Sequence, residues 1–283
     1  MPVWTWFGLR AGLGTTQWPQ RPGPNGQEGV FGLPRLDSAR CDSQESACTD
    51  CAATCPAGAI GVQAAGPRLD YARCVGCQVC TEVCPRGAFS LSYDWAFGVR
   101  DKADLVDRGR ARDSEGAGAS VVMGEEHGPH ASEEALVGEL RAFGKSLHIR
   151  HVDAGSCNGC ESELQALLSP FYNLHRLGIF FTPSPRFADL LLVTGPVTEA
   201  MREPLLRTWE AMPRPRWVMA LGTCATGGGT NGGGYACHQG LEGILPVDLW
   251  LPGCPPNPAA IIEALLVLLR RKPQRVRGGH HAI

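Results

Sequence analysis

Twelve of the thirteen cysteines in this chain fall into three groups of four. Cys41, Cys48, Cys51 and Cys55 form the first, with Pro56 after the last of them; Cys74, Cys77, Cys80 and Cys84 form the second, followed by Pro85. The third is dispersed, as the pair Cys157/Cys160 and then Cys224 and Cys254. An odd cysteine count with C-x2-C spacing favours reduced thiolates that hold metal over a disulfide framework. The opening residues, MPVWTWFGLRAGLGTTQWPQ, carry no basic n-region, no twin arginine and no continuous apolar run, so a cytoplasmic protein is expected. Four soft sulfur ligands are the set that an iron–sulfur cubane takes. Three such sets in one chain predict an electron conduit.

Cys74-x2-Cys77-x2-Cys80-x3-Cys84-Pro85 matches in full the bacterial ferredoxin run, in which three close thiolates hold one cubane and the fourth reaches the neighbouring one. The pattern therefore pairs Cys74, Cys77 and Cys80 with Cys55, and Cys41, Cys48 and Cys51 with Cys84. A zinc site would use two C-x2-C pairs and leave the third cysteine and the Cys-Pro unexplained. The first run departs from the pattern, with six residues between Cys41 and Cys48 where two are usual. A three-iron or missing first cluster stays open on that ground. Cys51-Ala-Ala-Thr-Cys55-Pro56-Ala-Gly58-Ala59-Ile60 reappears as Cys80-Thr-Glu-Val-Cys84-Pro85-Arg-Gly87-Ala88-Phe89, an internal repeat that predicts two pseudo-symmetric halves.

At 283 residues the chain has room for two domains, and a formal charge of −2 speaks against nucleic-acid binding. The high Gly and Pro content suits backbone wrapped around cofactors. Residues 1–95 read as a small α+β two-cluster domain with an N-terminal extension. Residues 96–145 read as a charged linker, aperiodic from about Asp101 to Ala131, ending in a short helix with Ser132 as N-cap. From 146 to 272, apolar runs at 147–152, 189–194, 216–221 and 247–251 alternate with helical patterns. One helix presents Met201, Leu205, Leu206, Trp209 and Met212; another is framed by Asn257, Pro258, Arg270/Arg271 and Pro273. That alternation predicts a parallel sheet with helices on its faces. The basic tail, 273–283, is expected to fray.

Topology gives the dispersed cysteines a meaning that spacing does not. Cys157/Cys160 follow the first predicted strand, Cys224 the third and Cys254 the fourth, and loops at the carboxyl ends of parallel strands share one crevice. A helix from Glu161 to Leu168, with Leu164, Leu167 and Leu168 on one face, would turn its N-terminus toward that crevice. The pattern alone leaves open a cluster held by these four cysteines or four ordinary buried cysteines.

A resemblance covers nearly all of residues 146–270. It is carried by Cys157-Asn-Gly-Cys160-Glu-x-Glu163, Ser184-Pro-Arg186-Phe-Ala-Asp189, Gly195-Pro-Val-Thr198, Met212-Pro-x-Pro215-Arg-Trp217-Val218, Gly222-x-Cys224-Ala-x-Gly-Gly228 and Leu245-Pro-Val-Asp248 with Pro252-Gly-Cys254-Pro-Pro256. These stretches resemble the small electron-transfer subunit shared by energy-converting nickel–iron hydrogenases and respiratory complex I (its 20 kDa subunit). The resemblance implies a flavodoxin-like α/β fold and a cluster on Cys157, Cys160, Cys224 and Cys254 beside a large catalytic subunit. Two residues between the first two ligands place the chain with the membrane-associated, formate-hydrogenlyase-type hydrogenase branch, since complex I subunits have adjacent cysteines there. The N-terminal part is similar to the two-cluster ferredoxin subunit of such complexes, down to Thr15-Thr16-Gln-Trp18-Pro19, so the chain reads as a fusion of two subunits.

The resemblance further implies three 4Fe-4S clusters passing electrons from a low-potential donor, such as soluble ferredoxin or formate dehydrogenase, to a nickel–iron site in the partner. It implies membrane-arm partners and a peripheral place on the inner face of the cell membrane. A complex I-like quinone oxidoreductase without nickel, and a structural iron–sulfur scaffold, are the alternatives. Glu163 matches a glutamate that can relay protons beside the cluster, with a first-turn residue favoured by the helix dipole as the plain alternative; Glu161 ranks lower. Arg186 is carried over as an interface contact. Cys237 matches no ligand position and reads as a free thiol, His151 and His175 as packing or surface residues. Trp4, Trp6 and Phe7 serve either docking or the protein's own core.

Overall fold

The internal repeat builds the N-terminal half of the computed structural model, which describes residues 3–12, 16–21, 23–41, 48–63, 66–108 and 146–279. Helix α1 (Val3–Ala11) comes first, with Trp6 and Phe7 exposed rather than covering the core. Cys51 and Cys80 sit in two five-residue helices, α2 (Asp50–Thr54) and α3 (Val79–Val83), which pack on each other. Each helix stops at its Cys-Pro, because proline cannot continue the hydrogen-bond ladder. The chain then turns identically in both copies: Gly58 N–H donates to the Cys55 carbonyl and Gly87 N–H to the Cys84 carbonyl, each at 3.1 Å. A strand follows each turn. After the first, β2 (Ile60–Gln63) pairs antiparallel with β3 (Gly66–Asp70), and β3 with β5 (Val106–Asp107). After the second, β4 (Phe89–Ser90) pairs antiparallel with β1 (Arg35–Leu36).

The apolar runs of the second half form one parallel sheet from β6 (Leu147–Asp153), β7 (Ile179–Phe181), β8 (Leu190–Thr194), β9 (Trp217–Leu221) and β10 (Leu249–Leu251). Their spatial order is β10-β9-β8-β6-β7. Counted within this half it is 2-1-3-4-5, the flavodoxin-like order. Every residue of β8 and β9 is buried, as a parallel sheet covered on both faces requires. On one face lies α7 (Pro258–Leu268), buried along its whole length, together with Leu164 of α4 (Gly159–Ala166) and Leu167 just beyond it. The Asn257 side chain caps α7 by accepting from Ala260 N–H at 2.8 Å, as its sequence framing predicts. On the other face lie Leu205 of α5 (Glu199–Ala211) and Ala225 of α6 (Thr223–Gly227). Tyr71, Ala72, Phe97 and Val99 from the N-terminal half join the same buried cluster. The two halves share a core.

Four expectations need correction. Residues 96–108 are not linker: Ala96, Phe97, Val99 and Leu105 are buried, Val99 and Trp250 exchange backbone hydrogen bonds, and β5 completes a sheet. The charges of Asp101, Lys102 and Asp104 sit on a short turn that masks this apolar set in the sequence. The tail packs as far as Gly279: the Gly278 carbonyl accepts from Trp95 N–H at 3.0 Å and Ala96 N–H at 3.1 Å, and Arg277 pairs with Asp107. Leu168 is half-exposed, because α4 ends at Ala166 and the periodicity stops with it. That helix also begins earlier than expected, with Cys160 inside its first turn. Strand β7 went unpredicted, being three residues long. The helix expected from Ser132, the rest of the charged stretch to 145, the side chain of Trp4 and residues 280–283 lie outside the described residues.

Candidate functional site

Two hollows of nearly equal size lie in the N-terminal half. Cys55 lines one with Cys74, Cys77 and Cys80, about 330 Å³ counted out to its mouth. Cys84 lines the other with Cys41, Cys48 and Cys51, about 340 Å³. The two cysteines cross over because each follows a helix that packs on the other copy. Remaining lining is mainly apolar, with Pro34, Ile60, Leu69 and Val79 in one hollow and Pro85, Ala88 and Phe89 in the other. Ala59 N–H points at Cys55 Sγ and Ala88 N–H at Cys84 Sγ, both at 3.3 Å. Such N–H···S contacts stabilise negative charge on sulfur.

The third set assembles at the carboxyl edge of the parallel sheet. Asp153, Thr194, Leu221 and Leu251 form one row across β6, β8, β9 and β10. The loops leaving β6 and β10 then carry Cys157 and Cys254, with Cys160 on α4 and Cys224 on α6, directly after β9. Cys160 feels Cys224, Cys254 and Cys157 electrostatically, so the four thiols are neighbours. Among the described residues no three ligating side chains converge on a single ion.

The chemistry of this donor set fits a charged cluster. Burial pushes the Cys51 thiol up to about 11, and Cys84, Cys41 and Cys48 add like-charge repulsion. Burial likewise takes Cys74 and Cys80 to about 12 and Cys224 to about 11, and raises Cys160 and Cys254. Buried thiols crowded together resist ionisation unless a cation compensates them. Iron would supply that compensation, and eight of the thiols line the two hollows described above.

Beside the third set the structure brings in residues that sequence reasoning ranked low or missed. The Ser156 hydroxyl donates to Glu161 Oε2 at 2.7 Å, and the Thr194 hydroxyl donates to Glu161 Oε1. His151 Nε2 lies 3.0 Å from Thr194 Oγ1 and 3.5 Å from Glu161 Oε1. Burial lowers the pKa of this histidine. Glu161 thus ties the Cys157 loop to strand β8. Only the register of β6 against β8 brings these residues together, so a linear sequence carries little signal for them. Glu163 is half-buried, and burial raises its pKa. Arg186 is exposed beside the exposed Phe187. His175 stacks on Phe180. Cys237 bridges to Thr198 in a separate loop.

Gly222 shows how closely backbone approaches this set. Its φ is +87°, and a Cβ there would lie 2.6 Å from Cys160 Sγ. Gly222→Ala therefore pays left-handed strain of roughly 1–2 kcal/mol and displaces a thiol. The expected result is loss of one cubane, about four irons per chain, with the N-terminal sets intact. Iron analysis with EPR checks this; full iron and an unchanged spectrum would refute it.

Comparison with known proteins places this geometry in a family. Residues 157–268 match the family described as NADH ubiquinone oxidoreductase, 20 Kd subunit, and residues 37–88 match the 4Fe-4S dicluster domain. Formate hydrogenlyase subunit 7 of Escherichia coli (strain K12) is 43% identical over 137 residues, 48% of this chain and 54% of that protein. The chain thus spans about half the length of that relative. A probable membrane-bound hydrogenase subunit of Pyrococcus furiosus is 40% identical over 146 residues, 51% of this chain and 87% of the relative. A chain in the membrane-bound sulfane sulfur reductase, an archaeal respiratory membrane complex, is 35% identical, with 47% of this chain and 73% of that one covered and a TM-score of 0.42. With a parallel sheet of flavodoxin-like order and a relative matched over most of its length, the chain belongs to the family of the NADH ubiquinone oxidoreductase 20 kDa subunit, here preceded by a 4Fe-4S dicluster domain.

Proposed function

We propose that this chain is the electron-transfer subunit of a membrane-associated nickel–iron hydrogenase complex. Three 4Fe-4S clusters would be held by Cys41/Cys48/Cys51/Cys84, Cys55/Cys74/Cys77/Cys80 and Cys157/Cys160/Cys224/Cys254. The observation that carries the reading is continuity. The second set abuts the third through the shared core, where the Cys74 carbonyl accepts a hydrogen bond from the hydroxyl of Thr223, the residue before Cys224 on α6.

Each cluster, when bound, supplies a one-electron couple. The chain's own residues do the rest. Apolar lining around the first two sets excludes water and raises the cost of net charge, and the N–H groups of Ala59 and Ala88 offset part of it at sulfur. Glu161, held by Ser156 and Thr194, fixes the Cys157 loop. Glu163, three residues after Cys160 on α4, can hold a proton at its carboxylate. Cys157 and Cys254 are exposed, which leaves the third set open toward a partner. That partner is the nickel–iron large subunit, with membrane-arm subunits beyond it and ferredoxin or formate dehydrogenase as donor. No described helix is long and apolar enough to cross a membrane; similarity to a probable membrane-bound hydrogenase subunit supports a peripheral place on the inner face of the cell membrane through partners.

Nickel content and H₂ evolution from reduced viologen, on the complex purified anaerobically through a tag on this chain, test the reading. Nickel with H₂ production is expected. An intact complex with a visible large subunit, iron and sulfide but no nickel would overturn it in favour of the complex I-like quinone oxidoreductase.

A further inference from the structure

Thr223 lies between the second and third cysteine sets, hydrogen-bonded to a residue on each side. Its side chain is buried, with 1% of the residue exposed, and both hydrogen-bonding capacities of the hydroxyl are used. Oγ1 donates to the Cys74 carbonyl at 3.0 Å and accepts from Gly253 N–H at 3.1 Å. Thr223 N–H in turn donates to the Gly253 carbonyl at 2.9 Å. One hydroxyl therefore joins a ligand residue of the second set to the helix carrying Cys224 and the loop carrying Cys254 of the third. We infer that Thr223 is the positioning residue that couples the second and third sets for electron transfer, an inference that rests on the three-cluster reading above.

The physical reason is that tunnelling decays faster across empty space than along bonds. The route runs from Cys74 through its carbonyl, one hydrogen bond and the Thr223 side chain to the adjacent Cys224. Reduction of the third set is matched by oxidation of the second, one electron at a time, and no atom or proton leaves the threonine. A neighbour supplies the control. Thr226 is equally buried and its hydroxyl donates to the Ala72 carbonyl at 2.7 Å, yet Ala72 carries no ligand. Loss of either hydroxyl orphans a buried carbonyl, and loss of Thr223's also frees Gly253 N–H, but only Thr223 lies on the route.

The test uses the iron-loaded full chain, reduced by a flash of photoreduced deazaflavin, with freeze-quench EPR following arrival of the electron at the third set. Thr223→Val is expected to slow that step by about tenfold, with Thr223→Ser and Thr226→Val within about twofold of the parent. Midpoint potentials from redox titration are expected to stay in place in all three, which separates coupling from driving force. A parental rate in Thr223→Val, equal slowing in Thr226→Val, or no recovery in Thr223→Ser would overturn the inference. Where Thr223→Val does not load its clusters, Thr223→Ala removes the same hydroxyl with a smaller side chain and is held to the same criteria. A parent chain lacking one of the three EPR signals refutes the three-cluster reading itself, which is a different result.

Discussion

Cys84→Ala is expected to remove the cluster bounded by Cys41, Cys48 and Cys51, while Cys55→Ala removes the one bounded by Cys74, Cys77 and Cys80. Each variant should fall from about twelve irons per chain to about eight, and the surviving EPR signals should be complementary. Assignment by proximity in sequence predicts the opposite outcome, because Cys84 would then belong with Cys74, Cys77 and Cys80. The hollows favour the crossed arrangement, with Cys55 in one and Cys84 in the other. The functional effects differ as well. Without the second cluster the route through Cys74 to Thr223 has no starting point, so reduction of the third set by a donor at the first should drop to background. Cys84→Ala removes only the outermost station, and a small artificial donor should bypass it. If both variants lose the same signal, the crossed assignment fails.

Much of this architecture is legible in the sequence where a physical constraint is local. The strands at 147–152, 189–194 and 216–221 show because a buried parallel sheet demands unbroken apolar runs. The cap at Asn257 shows because one side chain must satisfy the first turn. The repeat of Cys-Pro-x-Gly shows because the same turn is needed twice. What stayed hidden is tertiary. Residues 96–108 carry enough charge to read as solvated chain, and only the docking of Val99 on Trp250 makes them core. Thr223 is an unremarkable residue between Gly222 and Cys224 until the two halves pack together. Glu161 lies beside a more familiar glutamate, and its hydrogen bonds depend on the register of β6 against β8. The tail misled for the same reason: its charges have partners far away in the chain.

Arg275→Met is expected to destabilise the protein by about 3 kcal/mol, the largest effect foreseen for a residue that touches no cysteine. Glu263 sits in the middle of α7 with its side chain 5% exposed, and a buried carboxylate is tolerated only when paired. Arg275 pairs with it through two nitrogens, Nε to Oε1 and Nη2 to Oε2. Lys272 is more distant, with Nζ 3.7 Å from Oε2, and can compensate only in part. This pair anchors the start of the segment that crosses the dicluster domain. On either side of Arg275, Gln274 receives Arg100 N–H and donates to Asp104, and Arg277 pairs with Asp107. Releasing Arg275 therefore strands a charge beneath the sheet and loosens the strap that joins the two halves. Glu263→Gln keeps a hydrogen-bonding side chain without the buried charge and should cost less than Arg275→Met. The double variant Glu263→Leu/Arg275→Met should recover most of the loss, since a buried ion pair can often be exchanged for apolar packing. Guanidinium midpoints of the far-UV signal, read on anaerobic samples of equal iron content, decide the matter. An Arg275→Met midpoint equal to the parent's would mean that Lys272 alone suffices for Glu263 and that the strap is held elsewhere.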